Sequence, residues 1–205
     1  MGIEFLSDGP ADAAATLVLA HGAGAAMDSE FMNYVAAGIG AGGVRVLRFE
    51  FPYMQKRRET GKSRPPDREP VLLDSWREAA KEADAKRLYI GGKSMGGRMA
   101  SMVADELEVS GLVCLGYPFH PPGKPEKTRT AHLEGLRTPA LIVQGSNDAF
   151  GTREDVAGYS LSKQIRIRWI EGGNHDLRAA GKPRRAGWDE AIAEALGFVT
   201  AQDAD

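Results

Sequence analysis

Six short apolar runs, separated by stretches with helical periodicity, limit the fold of this chain more than any other feature. The runs cover residues 16–20, 44–49, 87–90, 111–115, 140–144 and 165–170. Several are apolar at both parities, as in Leu17-Val18-Leu19 and Leu112-Val113-Cys114-Leu115. A strand covered on both faces requires that pattern. Val46 and Ile167 are flanked by arginines, so their strands read as half-exposed and near an edge. Helical patterns fill 28–41, 67–84, 95–107, 153–161 and 188–199. The first opens on Asp28-Ser29 and stops at Gly42-Gly43. The second puts Leu72, Leu73, Trp76, Ala79 and Ala80 on one stripe, and the third does the same with Met95, Met99, Met102, Val103 and Leu107. Such alternation predicts a doubly wound, mostly parallel α/β sheet with helices on both faces. Residues 3–6 would add an antiparallel edge strand. The proline-bearing stretches 50–66 and 116–131 read as long loops of functional or mobile character.

The remaining composition bounds the class. At 205 residues and 42% hydrophobic, the chain has the size and core of one domain spanning 1–205. A net charge of −2 gives no global attraction to nucleic acid or an anionic membrane. A single cysteine, Cys114, excludes an internal disulfide and a cysteine zinc cage. No run reaches the roughly 18 apolar residues of a membrane span. The first basic residue is Arg45, so a basic signal-peptide n-region is missing. The expectation is a cytoplasmic protein with no membrane or nucleic-acid partner.

Three motifs carry chemistry. Gly92-Lys93-Ser94-Met95-Gly96 lies between a predicted strand and a predicted helix. A G-x-S-x-G turn at that junction sets a serine on strained backbone beside a helix N-terminus, and glycines at 92 and 96 remove side chains that would collide. A serine hydroxyl needs a base, and the base needs an orienting acid. His175 follows the run 165–170, and Asp148 follows the run 140–144, so both fall at the same sheet edge as Ser94. Asp155 and Asp176 are the competing acids. The third motif, His21-Gly22-Ala23-Gly24, follows the first core run. By the hydrolase pattern, the N–H groups of Ala23 and Met95 would form an oxyanion hole. His21 reads as structural, because His175 already supplies the base. His120 and Tyr53 are candidate substrate-loop residues. No metal or organic cofactor is called for.

With these residues in view, the sequence resembles the α/β-hydrolase superfamily over nearly its whole length. It is most similar to a small branch related to testis-expressed protein 30 and the third subunit of the NSL acetyltransferase complex. The resemblance rests on His21-Gly22-Ala23-Gly24-Ala25, on Arg48-Phe49-Glu50-Phe51-Pro52-Tyr53, on Gly91 to Arg98, on Gly116-Tyr117-Pro118-Phe119-His120-Pro121-Pro122-Gly123 and on Gln144-Gly145-Ser146-Asn147-Asp148. It implies a hydrolase fold with Ser94, Asp148 and His175 in the triad positions and no room for a helical cap. It brings no substrate.

The expected activity is hydrolysis of an ester or related acyl bond of a small molecule. A non-catalytic interaction module and a serine peptidase on the same fold are the alternatives. Loops 52–66, 117–132 and 176–187 should all rim the site, and together they carry +9, leaving −11 for the rest of the chain. That imbalance gives two readings, a site that attracts an anionic substrate and plain solvated loop charge.

Overall fold

The computed structural model describes residues 2–201. Its strands are β1 (Leu6–Asp8), β2 (Thr16–Ala20), β3 (Arg45–Phe49), β4 (Leu88–Lys93), β5 (Gly111–Leu115), β6 (Ala140–Gly145) and β7 (Ile165–Ile170). They form one sheet in the order β1-β3-β2-β4-β5-β6-β7. Only β1 is antiparallel. The helices are α1 (Glu30–Ala41), α2 (Pro52–Thr60), α3 (Glu69–Glu82), α4 (Met95–Val103), α5 (Arg153–Ala157) and α6 (Ala186–Thr200).

Alternation along the central strands splits the core in two. Leu17 and Leu19 of β2 pack with Met32, Ile39 and Trp188 on the α1 and α6 face. Val18 and Ala20 pack with Trp76, Met99 and Val103 on the α3 and α4 face. Each such aliphatic side chain contributes about 1.5–3 kcal/mol on burial, which is why the central runs are apolar at both parities. Strand order reverses at β2, which has β3 on one side and β4 on the other. A crevice opens beyond the carboxyl ends of strands at such a switch point.

The doubly wound sheet matches the sequence expectation, with several local departures, among them α4 and α5, which end at Val103 and Ala157 short of the expected 107 and 161. Strand β4 runs on through Gly91, Gly92 and Lys93 rather than stopping at Ile90. The antiparallel edge strand is Leu6–Asp8 rather than 3–6. It covers β3, whose Val46 is fully buried, so the half-exposed reading holds for β7 and fails for β3. Arg48 tolerates that burial because its guanidinium donates to Asp8 at 2.8 Å and to the Met27 carbonyl at 2.8 Å. A further departure is α2, inside the stretch read as a loop. Pro52 stands at its first turn, where a missing N–H is harmless, and Gly61 closes it in the left-handed conformation. Asp67, expected to start α3, accepts instead from the Tyr53 N–H in the first turn of α2, at 2.8 Å. Beyond the strand ends lie α2, α5 and loops, without a cap domain among the described residues. No helix among them is long and apolar enough to cross a membrane.

Candidate active site

Ser94 sits between β4 and α4 with φ +51° and ψ −115°. A non-glycine residue in that region stores about 1–3 kcal/mol and persists only where its surroundings hold it. Here the holding groups are close backbone approaches. A side chain at Gly92 would bring its Cβ to 2.2 Å from the Ala20 carbonyl oxygen, and one at Gly96 to 2.4 Å from the same atom. Both glycines are therefore needed for contact with the end of β2.

The Ser94 hydroxyl donates to His175 Nε2 at 2.9 Å. His175 Nδ1 donates to Asp148 Oδ2 at 2.8 Å. A carboxylate only accepts, so the ring carries its proton on Nδ1 and presents Nε2 as an acceptor. Asp148 is fully buried, and its charge is compensated by further donors. The Phe150 N–H donates to Oδ1 at 2.8 Å, and Gln144 Nε2 donates to Oδ2 at 2.9 Å. The other acids play no such part. Asp155 closes a capping box with Thr152 at the start of α5, and Asp176 is exposed.

Three further side chains support this arrangement. Gln144 is a fully buried polar residue in an apolar strand. Its Oε1 accepts from the Tyr117 N–H at 2.7 Å, tying the loop after β5 to Asp148. Phe150 stacks on the His175 ring with centroids 4.1 Å apart. Lys93, beside the serine, donates from Nζ to the His175 carbonyl at 2.6 Å. Burial pushes the Lys93 ammonium down to about 8. Only Gln144 and Lys93 left a trace in the sequence, each a polar residue within or beside an apolar run.

Ala23 and Met95 both line the cleft at Ser94. Neither N–H donates to a backbone acceptor among the described residues. His21 is buried and structural: Nδ1 donates to the Gly22 carbonyl at 2.7 Å, and Nε2 accepts from the Phe51 N–H at 3.2 Å. Burial lowers its pKa, which suits this neutral ring.

Tyr53 and His120 do not line the cleft; both turn inward. Apolar burial of the Tyr53 ring leaves its hydroxyl to donate to the Ala23 carbonyl at 2.9 Å, bracing the loop from behind. His120 Nδ1 donates to the Pro121 carbonyl at 2.9 Å, and Nε2 lies 3.4 Å from Asp155. The basic rim is also less bare than its formal charge suggests. Arg58 pairs with Glu50 and Asp28, Arg184 and Arg185 pair with Glu30, and Lys182 lies 3.9 Å from Glu190.

A serine on strained backbone at the β4–α4 turn is joined through a histidine to a buried carboxylate, at one edge of a doubly wound sheet of the α/β-hydrolase class. Residues 13–200 match the alpha/beta hydrolase domain family, and the chain belongs to it. Solved structures agree in fold. One is an α/β serine hydrolase without a lid from Xanthomonas campestris, 17% identical, with 98% of this chain and 88% of that one covered at a TM-score of 0.71. Another is Est1E from Butyrivibrio proteoclasticus with ferulic acid bound, 16% identical, with 99% and 96% covered at 0.74. A third is an α/β serine hydrolase homologue from Coxiella burnetii, 19% identical, with 98% and 92% covered at 0.68.

Proposed function

We propose that this protein is a serine hydrolase that cleaves an ester or related acyl bond of a small substrate, in the manner of a carboxylesterase. The observation that carries the proposal is the continuous hydrogen-bonded chain from Ser94 Oγ through His175 to Asp148. In this reading Ser94 Oγ attacks the substrate carbonyl carbon as its proton passes to His175 Nε2. Asp148 stabilises the imidazolium and fixes its tautomer. The N–H groups of Ala23 and Met95 receive the developing oxyanion. Collapse of the tetrahedral intermediate breaks the bond to the leaving alkoxide, which takes the proton from His175. Water then attacks the acyl-enzyme by the same steps, releasing the acid and restoring Ser94.

Ferulic acid, bound in Est1E, is a small carboxylic acid, and a cleft of about 390 Å³ at Ser94 suits a substrate of that class. Kinship to the branch of testis-expressed protein 30 and the third NSL subunit rests on the Phe51-Pro52-Tyr53 and Tyr117-to-Pro122 stretches. A single catalytic domain acting in the cytoplasm completes the proposal. The test is turnover of 4-nitrophenyl acetate and butyrate beside a Ser94→Ala control. Turnover lost in the control is the expected result. Turnover of neither ester by the folded wild-type protein favours the interaction-module alternative.

A further inference from the structure

The cleft at Ser94 has two chemical characters. One part of its wall is apolar, formed by Leu72, Met99, Pro118 and Phe150. Set into that wall are two arginines from different elements, Arg98 and Arg129. Arg98 lies one turn along α4 from the serine, and its N–H donates to the Ser94 carbonyl at 3.0 Å. Arg98 Nη2 donates to Glu69 at 2.9 Å, while its Nε is buried without a partner. Glu69 therefore answers only part of that guanidinium.

Arg129 is answered less well. Its main chain is fixed, since the N–H donates to the Phe119 carbonyl at 2.7 Å and the carbonyl accepts from Tyr117 Oη at 3.2 Å. Its guanidinium, half-buried, makes no hydrogen bond or ion pair among the described residues. This sets it apart from Arg58, Arg184 and Arg185 on the same rim, each matched to a carboxylate. Burial and the nearby Arg98 charge both act against its ionised form. The acids on the cleft do not relieve it. Glu69 is engaged by Arg98, and Asp67 accepts from the Tyr53 N–H. A partly desolvated cation next to another, with an apolar wall and a nucleophile alongside, is a binding position for an anion.

We propose that Arg129, with Arg98, forms a carboxylate-binding subsite in the cleft at Ser94, so that the ester cleaved there bears a carboxylate. The inference rests on the serine-hydrolase reading and adds its substrate class. The apolar wall takes the carbon chain between the two ends, and the planar guanidinium of Arg129 takes the carboxylate by charge-assisted hydrogen bonds.

The experiment compares kcat/KM for matched ester pairs on the intact protein. The 4-nitrophenyl monoester of adipic acid against 4-nitrophenyl hexanoate puts the carboxylate on the acyl side. Acetoxybenzoate against phenyl acetate puts it on the alcohol side. The expected result is a preference of at least about tenfold for the anionic member of one pair, the size of one charge-assisted hydrogen bond. Arg129→Met should bring that ratio near one, and Arg129→Lys, which keeps the charge without the fork, should leave about threefold. Lys127→Gln, an exposed change on the same loop, should leave the ratio where it was, separating a local subsite from a diffuse field. A ratio near one for both pairs, or a preference that survives Arg129→Met, overturns the subsite while leaving the hydrolase reading intact. Turnover of none of the four esters, with Ser94 inert to a fluorophosphonate, overturns both.

Discussion

Helix α4 and the turn before it carry two serines, each hydrogen-bonded to a histidine, and the two pairs differ in their surroundings. Ser94 Oγ lies 2.9 Å from His175 Nε2, and Ser101 Oγ lies 2.8 Å from His132 Nε2. Distance does not separate them. The Ser94 proton points at a ring acceptor, because Asp148 holds the other ring nitrogen protonated. The Ser101 hydroxyl donates back to the Arg98 carbonyl at 2.7 Å, as a mid-helix serine often does, so its proton is already committed. No carboxylate among the described residues answers His132, and burial pushes its pKa down to about 4. Ser94 stands on strained backbone at a helix start beside a cleft, whereas Ser101 is buried in regular helix. A serine nucleophile thus needs an oriented base, a fixed tautomer and an approach for substrate, and a short Ser–His contact supplies none of these alone.

The comparison breaks most visibly at the serines. Ser94→Ala should lower kcat/KM for a reactive ester by about ten-thousand-fold or more, and Ser101→Ala should leave it within about twofold. A reversal of these two effects would exchange the roles of the pairs. Next comes the acid that only one pair possesses. Asp148→Asn should reduce kcat by about a thousandfold with the fold intact by circular dichroism, since the ring then loses its enforced tautomer.

The inert pair has its own signature, in stability. His132 takes up a proton near pH 6.5 when unfolded and near pH 4 when folded. The unfolded chain therefore binds more protons across that window, so stability is present above pH 6.5 and is lost as the pH falls towards 4. After allowance for partial exposure, the loss is about 2 kcal/mol. Urea midpoints at pH 7 and 4.5 should show it in the wild-type protein and show less of it in His132→Gln. The smallest effect belongs to the loop facing Ser94. Tyr53→Phe removes the hydroxyl that braces the Ala23 carbonyl, worth about 1 kcal/mol, so kcat should fall about fivefold with KM nearly unchanged. A change in KM alone would make Tyr53 a contributor to substrate binding.

What the sequence made legible follows the same division. Ser94, Asp148 and His175 each follow a readable apolar run, and parallel strands bring their following loops to one edge, so chain order sufficed to assemble them. Gly92 and Gly96 were legible as a pair, although the backbone they admit, that of Ala20, belongs to a strand distant in sequence. Helix α2 was hidden because Pro52 reads as a breaker until its place at the first turn is known. The burial of Val46 was hidden because an arginine looks solvent-facing until Asp8 is folded against it. Summed loop charge leaves out partners for a related reason. Glu30 and Glu50, the partners of three rim arginines, lie outside those loops, and Arg129, a half-buried cleft cation with no such partner among the described residues, looks no different from its neighbours in sequence.

The most direct test of the central claim is to treat the folded protein with a fluorophosphonate and locate the adduct by peptide mass spectrometry. The account predicts one adduct, on Ser94, formed far more slowly in Asp148→Asn, with Ser101 unmodified. An adduct on Ser101, or none on Ser94, would contradict it.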